Sequence, residues 1–373
     1  MRRNAVLTSA ALFAILALAA IPAAAAGEVQ KQLRLELSAD PAAAFAVENL
    51  AGTMRVVPGS GRTVVAVATV HAESEEAAAL MKFEQVTDNE GRPALRVRYP
   101  IERYGTIRYP GPDKSNTPSW MQWLGENNNR LDYDGHRVRV TSNSGTLLYA
   151  DVEVQVPSRQ GAAVFKNHIG RLEGKDLEGT LQFDTGSGDI ELQHVRGTLR
   201  ADTGSGDLKV TDAGGTLSCD TGSGDCIIER FSGDRIDCDV GSGDIVVKSG
   251  SAGRIDLDTG SGDVSLRDIE AEEISTDTGS GDVLIECASD RLRKLSTNTG
   301  SGDVTLRLGP DASFEAHADQ GSGDLVSRYA DAQPIAEGRT VVGYRRGDGR
   351  TRIRVETGSG DLVIEPGGAK ASR

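Results

Sequence analysis

The chain has 373 residues, 45 of them glycine, with only 7 Phe, 7 Tyr and 2 Trp and a formal net charge of −14 at pH 7. Excess glycine and scarce aromatics argue against a conventional large-core enzyme, and an acidic chain lacks the clustered basic surface that nucleic-acid phosphates require. Apolar residues make up 38% and prove to be periodic rather than scattered, which excludes general disorder.

Residues 1–26 read as an export signal: Arg2 and Arg3 form a positive start, Ala10 to Ala20 an apolar stretch, and Ala24 to Ala26 a small-residue cleavage site. The surroundings of the arginine pair fit ordinary secretion better than a twin-arginine signal, and no cysteine stands at the cleavage site for lipid attachment. Cleavage near Ala26 removes two arginines and no acid, taking the charge from −14 to −16. No later apolar run is long enough to span a bilayer. The expected protein is therefore periplasmic or secreted, with no transmembrane segment after cleavage.

Residues 27–163 read as a β-rich N-terminal part. Strands are expected at Gln32 to Leu37 and Thr63 to Val70, and a short helix at Glu73 to Met81, where acids open an alanine-rich run. Leu95 to Tyr99 and Val138 to Val140 look like strands bracketing an insertion, Pro100 to Gly135. Between Tyr99 and Tyr133 lie four tyrosines and both tryptophans, among four prolines and Asn127 to Asn129. Irregular loops of this length tend to be functional or disordered. Tyr104, Tyr109, Trp120 and Trp123 are thus candidate contacts for a glycan or an envelope protein. The competing reading folds these aromatics back over an open stack end, shielding unpaired strand edges.

Residues 164–366 carry a repeat. Gly-Ser-Gly-Asp occurs nine times, ending at Asp189, Asp207, Asp225, Asp244, Asp263, Asp282, Asp303, Asp324 and Asp361, with gaps of 18, 18, 19, 19, 19, 21, 21 and 37 residues. A fixed period of this size marks a solenoid. Just after each Asp stands an apolar residue, as in Ile190, Leu208 and Ile245, and two positions on another follows in every repeat but one, as in Leu192, Val210 and Val247, with Ser327 the exception. Eight positions before it come Leu181, Leu199, Leu217 and their equivalents. This alternation has a period of two, so each repeat reads as strand, tight turn, strand and short return. A degenerate turn, Asn167 to Arg171, precedes the first full motif by 18 residues, so the stack is expected to start near Val164. An insertion around Gln333 to Gly349 is expected to have replaced or hidden one turn. The fold class is all-β: a single-chain, parallel β-helix-like β-solenoid of about ten rungs of 18–21 residues, of either hand, with a disordered tail at 367–373.

Outward positions on the strand before the turn are polar, whereas Ile227, Val246, Leu284, Val326 and Val363 give the strand after it an apolar exterior. That exterior is either covered by the chain itself or offered to a partner. Cys219, Cys226, Cys238 and Cys287 match no zinc spacing and suit small core-filling positions, although an exported protein also permits disulfides.

The turn aspartates, with Asp184, Asp202, Asp220, Asp239, Asp258 and Asp277 five residues earlier, form two acidic rows. Neighbouring charges about 4.8 Å apart repel by roughly 0.9 kcal/mol in bulk water and more where solvent is excluded. Hydrogen-bonded, solvated turns are the first expectation. A calcium-stabilised solenoid is the alternative, although the motif differs from the calcium nonapeptide. A polysaccharide-acting β-helix enzyme is the third reading. It would need carboxylates converging in a groove, whereas the acids here form a ladder and the five histidines are scattered. No catalytic residue, metal ligand or cofactor site is assigned.

The reiterated Thr203-Gly204-Ser205-Gly206-Asp207-Leu208 pattern resembles the bacterial "putative adhesin" domain of unknown function, also called Toastrack. Val47 to Thr53, an early turn, and Val152 to Pro157, a strand entering the repeats, fit the same layout. The resemblance spans roughly residues 28–366, most strongly 181–366. It implies a β-strand-repeat solenoid of the cell envelope, linked to adhesion or envelope stress, and transfers no catalytic residue. The 100–135 insertion, and the lack of the membrane segments found in envelope-stress relatives, depart from the simplest family pattern.

Overall fold

A computed structural model describes residues 28–38, 44–111, 129–157 and 161–367. The expected signal segment, Trp120, Trp123 and residues 368–373 lie outside them. One rung shows how the repeat works. In Arg196–Thr203, Leu199, Ala201 and Thr203 point inward, and after the turn Leu208 and Val210 of Leu208–Thr211 point inward from the other side. Four- and five-residue strands such as Leu208–Thr211 make sheet I, and eight- and nine-residue strands such as Arg196–Thr203 make sheet II. Each strand pairs parallel with its equivalent in the next rung, Leu199 against Leu217 and Leu208 against Cys226. Identical positions therefore stack into columns, and the core is a continuous double row of small and branched apolar side chains.

The turn chemistry explains the motif. Gly262 adopts φ +149°, and a Cβ there would stand 2.1 Å from the Gly243 carbonyl oxygen of the preceding rung, so only glycine lets the turns approach this closely. Where threonine precedes the motif it is buried, and Thr185, Thr203, Thr221, Thr259, Thr278 and Thr299 each donate to a carbonyl one rung back, as Thr203 to Gly188 and Thr259 to Gly243, both at 3.0 Å. Each turn aspartate but Asp324 accepts, through Oδ1, the backbone N–H of the next rung's aspartate, as in Asp207 to Asp189 at 3.1 Å and Asp263 to Asp244 at 2.8 Å. The return corner uses a non-glycine residue at positive φ, such as Asp212, Arg230 and Ser249. Arg230 adds a 2.7 Å ion pair to Asp212 one rung back.

The N-terminal strands are Val29–Ser38, Thr63–Ala72, Pro93–Arg98 and His136–Thr141, and the helix is Glu75–Leu80, capped where Ser74 accepts from the Ala77 N–H. Two findings depart from the sequence reading. First, the stack does not begin near Val164. Phe45–Ala51 pairs parallel with Ala162–Ile169, and Met54–Pro58 with Leu172–Lys175, so both sheets continue across the expected boundary at 163/164. Among the described residues the stack has eleven rungs. The turns of the first two rungs lack Gly-Ser-Gly. Their buried Asn49 and Asn167 occupy the threonine column, with Asn49 Nδ2 donating to Asn167 Oδ1 at 3.0 Å and Asn167 Nδ2 to the Gly52 carbonyl at 2.8 Å.

Second, Gln333 to Gly349 hides no turn. Gln333–Glu337 and Thr340–Arg346 form an antiparallel hairpin on the edge of Phe314–Ser322. The chain then returns, and Thr351–Ser359 inserts between Lys294–Ser301 and Phe314–Ser322. The aspartate ladder follows this spatial order, Asp361 donating to Asp303 and Asp324 to Asp361. Burial supplies the reason. The inserted rung brings Ile353, Val355, Leu362 and Ile364, all buried, whereas the rung it displaces outward has Ala316, Ala318 and Ser327 at equivalent positions and leaves Val326 40% exposed. The richer rung takes the interior place. Tyr329 closes this end, its hydroxyl donating to the Leu308 and Gly309 carbonyls under the Arg346 guanidinium.

Candidate interaction surface

Alternation turns every second residue of sheet II outward, and register turns those residues into columns. In one column Asp184, Asp202, Asp220, Asp239, Asp258 and Asp277 stand in consecutive rungs. Its ends are partnered: Lys166 Nζ lies 3.2 Å from Asp184, and Asn298 Nδ2, a neutral donor, hydrogen-bonds Asp277 at 3.2 Å. Arg200 reaches Asp202 at 3.3 Å. Among the described residues, the side chains of Asp220, Asp239 and Asp258 make no hydrogen bond or ion pair. Burial first, and then the neighbouring aspartates, push the carboxyls of Asp220 and Asp258 above the usual range.

The adjacent column is balanced. Arg235 bridges Asp237 and Asp256 at 2.8 and 3.1 Å, and Arg254 bridges Asp256 and Glu273 at 2.7 and 3.3 Å. Towards the C-terminal end the sign reverses. Lys294, Arg352, Arg354 and His317, together with the carboxylates of Glu315 and Asp319, surround an open depression of about 760 Å³. Arg354 is held by Glu356 at 2.8 Å and His317 faces Glu315 at 3.2 Å, whereas Lys294 and Arg352 have no side-chain partner among the described residues. Two of these cations, Arg352 and Arg354, come from the inserted rung. One rigid face thus carries unneutralised acid and unneutralised base a few strands apart.

The apolar exterior of sheet I is not covered by another strand or helix among the described residues; its strands pack chiefly on flanking rungs. Ile227 and Val246 stand in register and are half-buried by their own column.

The described aromatic residues in and beside the insertion pack at the N-terminal end. Tyr99 and Tyr133 are buried edge to face at 5.9 Å, with Tyr133 against His168, and the Tyr99 hydroxyl donates to Asn49 and the Ala51 carbonyl. Tyr109 is 7% exposed and tilts against Tyr149 at 5.2 Å, so it belongs to the packing over the first rungs rather than to a displayed surface. Tyr104 is half-buried beneath the Arg103 guanidinium. Trp120 and Trp123 lie outside the described residues.

Two histidines sit in chemically distinctive surroundings. His71 is stacked on Tyr149; one ring nitrogen contacts Glu28 and the other lies 3.2 Å from Asp151. Burial would lower its pKa, but these two carboxylates outweigh burial and raise it. With both nitrogens occupied, the ring is a structural clamp rather than a free base. Burial, then Lys166 and Arg96, press His168 down to about 4. Sequence reasoning found the acid column but missed the cationic depression, whose residues lie in strands 294–301, 314–322 and 351–359.

Residues 197–365 match the family model described as Toastrack DUF4097. Three crystal structures are similar to the chain. A "putative adhesin" from Parabacteroides distasonis has 13% identity over 89% of this chain and 97% of that one, at a TM-score of 0.37. A "putative lipid binding protein" from the same species has 12% identity over 89% and 96%, at 0.36. A "putative cell adhesion protein" from Clostridium sporogenes has 9% identity over 90% and 100%, at 0.23. No curated protein matches the chain.

Proposed function

With residues 197–365 belonging to the Toastrack family, we propose that the chain is an exported, non-catalytic β-solenoid acting as an interaction or adhesion-type module of the cell envelope. The observation that carries this reading is the uncompensated charge of both signs on the outer face of sheet II. Asp220, Asp239 and Asp258 on one side and Lys294 and Arg352 on the other are fixed by register on a backbone that cannot rearrange to neutralise them. Such a surface gains most from a partner that carries complementary charge. Tyr104, Trp120 and Trp123 are proposed as further, aromatic contacts, and the partner is a glycan or an envelope protein.

The test is co-sedimentation of the full chain with bacterial envelope fragments, with a polyuronate and a polycationic glycan as defined probes. Binding should fall as salt rises. Binding of the polycationic glycan should be lost in an Asp220→Asn, Asp239→Asn, Asp258→Asn triple variant, and binding of the polyuronate in a Lys294→Gln, Arg352→Gln double variant. Absence of binding, or binding that ignores both sets, overturns the reading. A melting curve at millimolar calcium tests the calcium-stabilised alternative: the interaction reading expects no shift, because eight of the nine turn carboxylates, all but that of Asp324, already accept a backbone N–H.

A further inference from the structure

The four cysteines are all buried, but they are not equivalent. Cys287 ends Val283–Cys287 in sheet I, in register with Leu308. Cys219 and Cys238 are register neighbours on adjacent strands of sheet II, and Cys226 opens the sheet I strand directly across the core. The three sulfurs lie within 4.8 Å of one another, and Cys226 Sγ and Cys238 Sγ are 2.8 Å apart. In other rungs these inward positions hold Phe183, Ala201 and Leu257 on one side and Ile190, Leu208 and Ile245 on the other. Only here do thiols meet from both sheets.

We propose that Cys226 and Cys238 form a disulfide across the core, joining sheet I to sheet II, with Cys219 remaining a thiol. The assignment does not depend on what the outer surface binds. Geometry chooses the pair, because Cys226 and Cys238 are in direct sulfur–sulfur contact and come from facing sheets and successive rungs. The surroundings choose the chemistry. A metal held by three thiolates would leave net negative charge in a core where no lysine or arginine is buried among the described residues. It would also hold its sulfurs about 4 Å apart, at metal–sulfur bonds of about 2.3 Å. A disulfide is neutral and suits a dry apolar interior. The Cys226 sulfur beside it, and then burial, hold the Cys219 thiol well above its ordinary value, so it is a poor thiolate for exchange.

The oxidant is a small-molecule or protein disulfide. One cysteine thiolate attacks an oxidant sulfur and expels a thiolate, which takes up a proton. The second cysteine thiolate then attacks the protein sulfur of that mixed disulfide, forming the Cys226–Cys238 bond and releasing the second thiol. Two electrons pass to the oxidant. Because the two sulfurs belong to residues no more than 1% exposed, the reaction belongs to an opened or folding state rather than to the closed stack.

The full chain is refolded in a glutathione disulfide/glutathione buffer, alkylated in denaturant, and cleaved before aspartates without reduction. Cleavage before Asp220, Asp225, Asp237 and Asp239 places Cys219, Cys226 and Cys238 on separate peptides. The expected result is two alkylated cysteines before reduction and four after, with one linked mass joining the Cys226 and Cys238 peptides. Cys219→Ala should keep that mass and Cys226→Ala should abolish it. Four reactive thiols in the folded, oxidised chain, a link through Cys219 or Cys287, or a stoichiometric metal protecting three thiols would each overturn the assignment.

Discussion

Between Glu178 and Leu308 every rung stacks on the one before it in the chain, whereas at both ends the neighbour comes from far away in sequence: Phe45–Ala51 lies on Ala162–Ile169, and Thr351–Ser359 lies on Lys294–Ser301. In the middle, order along the chain dictates order in space, and the Gly-Ser-Gly-Asp turn is copied with little change. At the ends, fit replaces order. Two buried asparagines take over the threonine column at one end, and the better-filled rung slips inside the poorer one at the other. The repeat therefore specifies how two rungs meet, and core composition decides which two do.

The strongest way to break this comparison is to block one turn in each region. Gly262→Ala in the middle and Gly360→Ala in the inserted rung both place a Cβ about 2 Å from a carbonyl oxygen at strongly positive φ, a conflict worth roughly 3 kcal/mol or more. Gly262→Ala should abolish a single cooperative melt. Gly360→Ala should free residues 351–366 for proteolysis while the rungs up to Leu308 stay protected; wild-type protection there would contradict the inserted arrangement. A smaller loss is expected from Asn167→Ala, which removes the side-chain donor to the Gly52 carbonyl and one of the two donors to the Arg171 carbonyl. Denaturant titration should show a cost of about 2–4 kcal/mol, and a cost below about 1 would mean that the N-terminal end does not depend on this pair.

Within the regular region the threonine column can be sharpened. Val240 is the one exception among its neighbours Thr221 and Thr259. Val240→Thr should add a bond to the Gly224 carbonyl and stabilise by about 0.5–1.5 kcal/mol, whereas Thr259→Val should lose a similar amount. The smallest effect concerns charge. The carboxyl pKa values of Asp220 and Asp258 are raised in the folded chain, so their ionisation costs stability as pH rises through those values, and the cost is absent below the unfolded value. Asp239→Asn, between them, should therefore raise the melting temperature at pH 7. The gain is a few tenths of a kcal/mol because the column is solvent-screened, and it should vanish near pH 3.

The regular stack was legible because Leu199, Leu208 and their equivalents alternate strictly and because glycine marks each turn. The first rung was not, since Asn49-Leu50-Ala51-Gly52 shares only its last glycine with the motif, and its neighbour Asn167 lies more than a hundred residues away. The inserted rung escaped notice because spacing reports separation along the chain and carries no sign of spatial order. The same holds for the surface: the acid column follows from one period, whereas Lys294, Arg352 and His317 meet only once that order is known. The gap between Asp324 and Asp361 pointed to an insertion, but only the antiparallel pairing of Phe314 with Arg346 shows what it does.

The inserted rung also sets a timetable. A chain made from its N-terminus releases Phe314–Ser327 before Thr351–Pro366, yet the earlier segment cannot take its final place until the later one has docked on Lys294–Leu308. Until then the two segments are rivals for one template edge, with the same turn motif and compatible register. The hairpin between them keeps Phe314–Ser322 occupied on its far edge while its near edge waits. Completion of the stack is thus coupled to the arrival of residues 351–366, and a ribosome-stalled chain ending near residue 350 would display an unfinished edge of parallel strands.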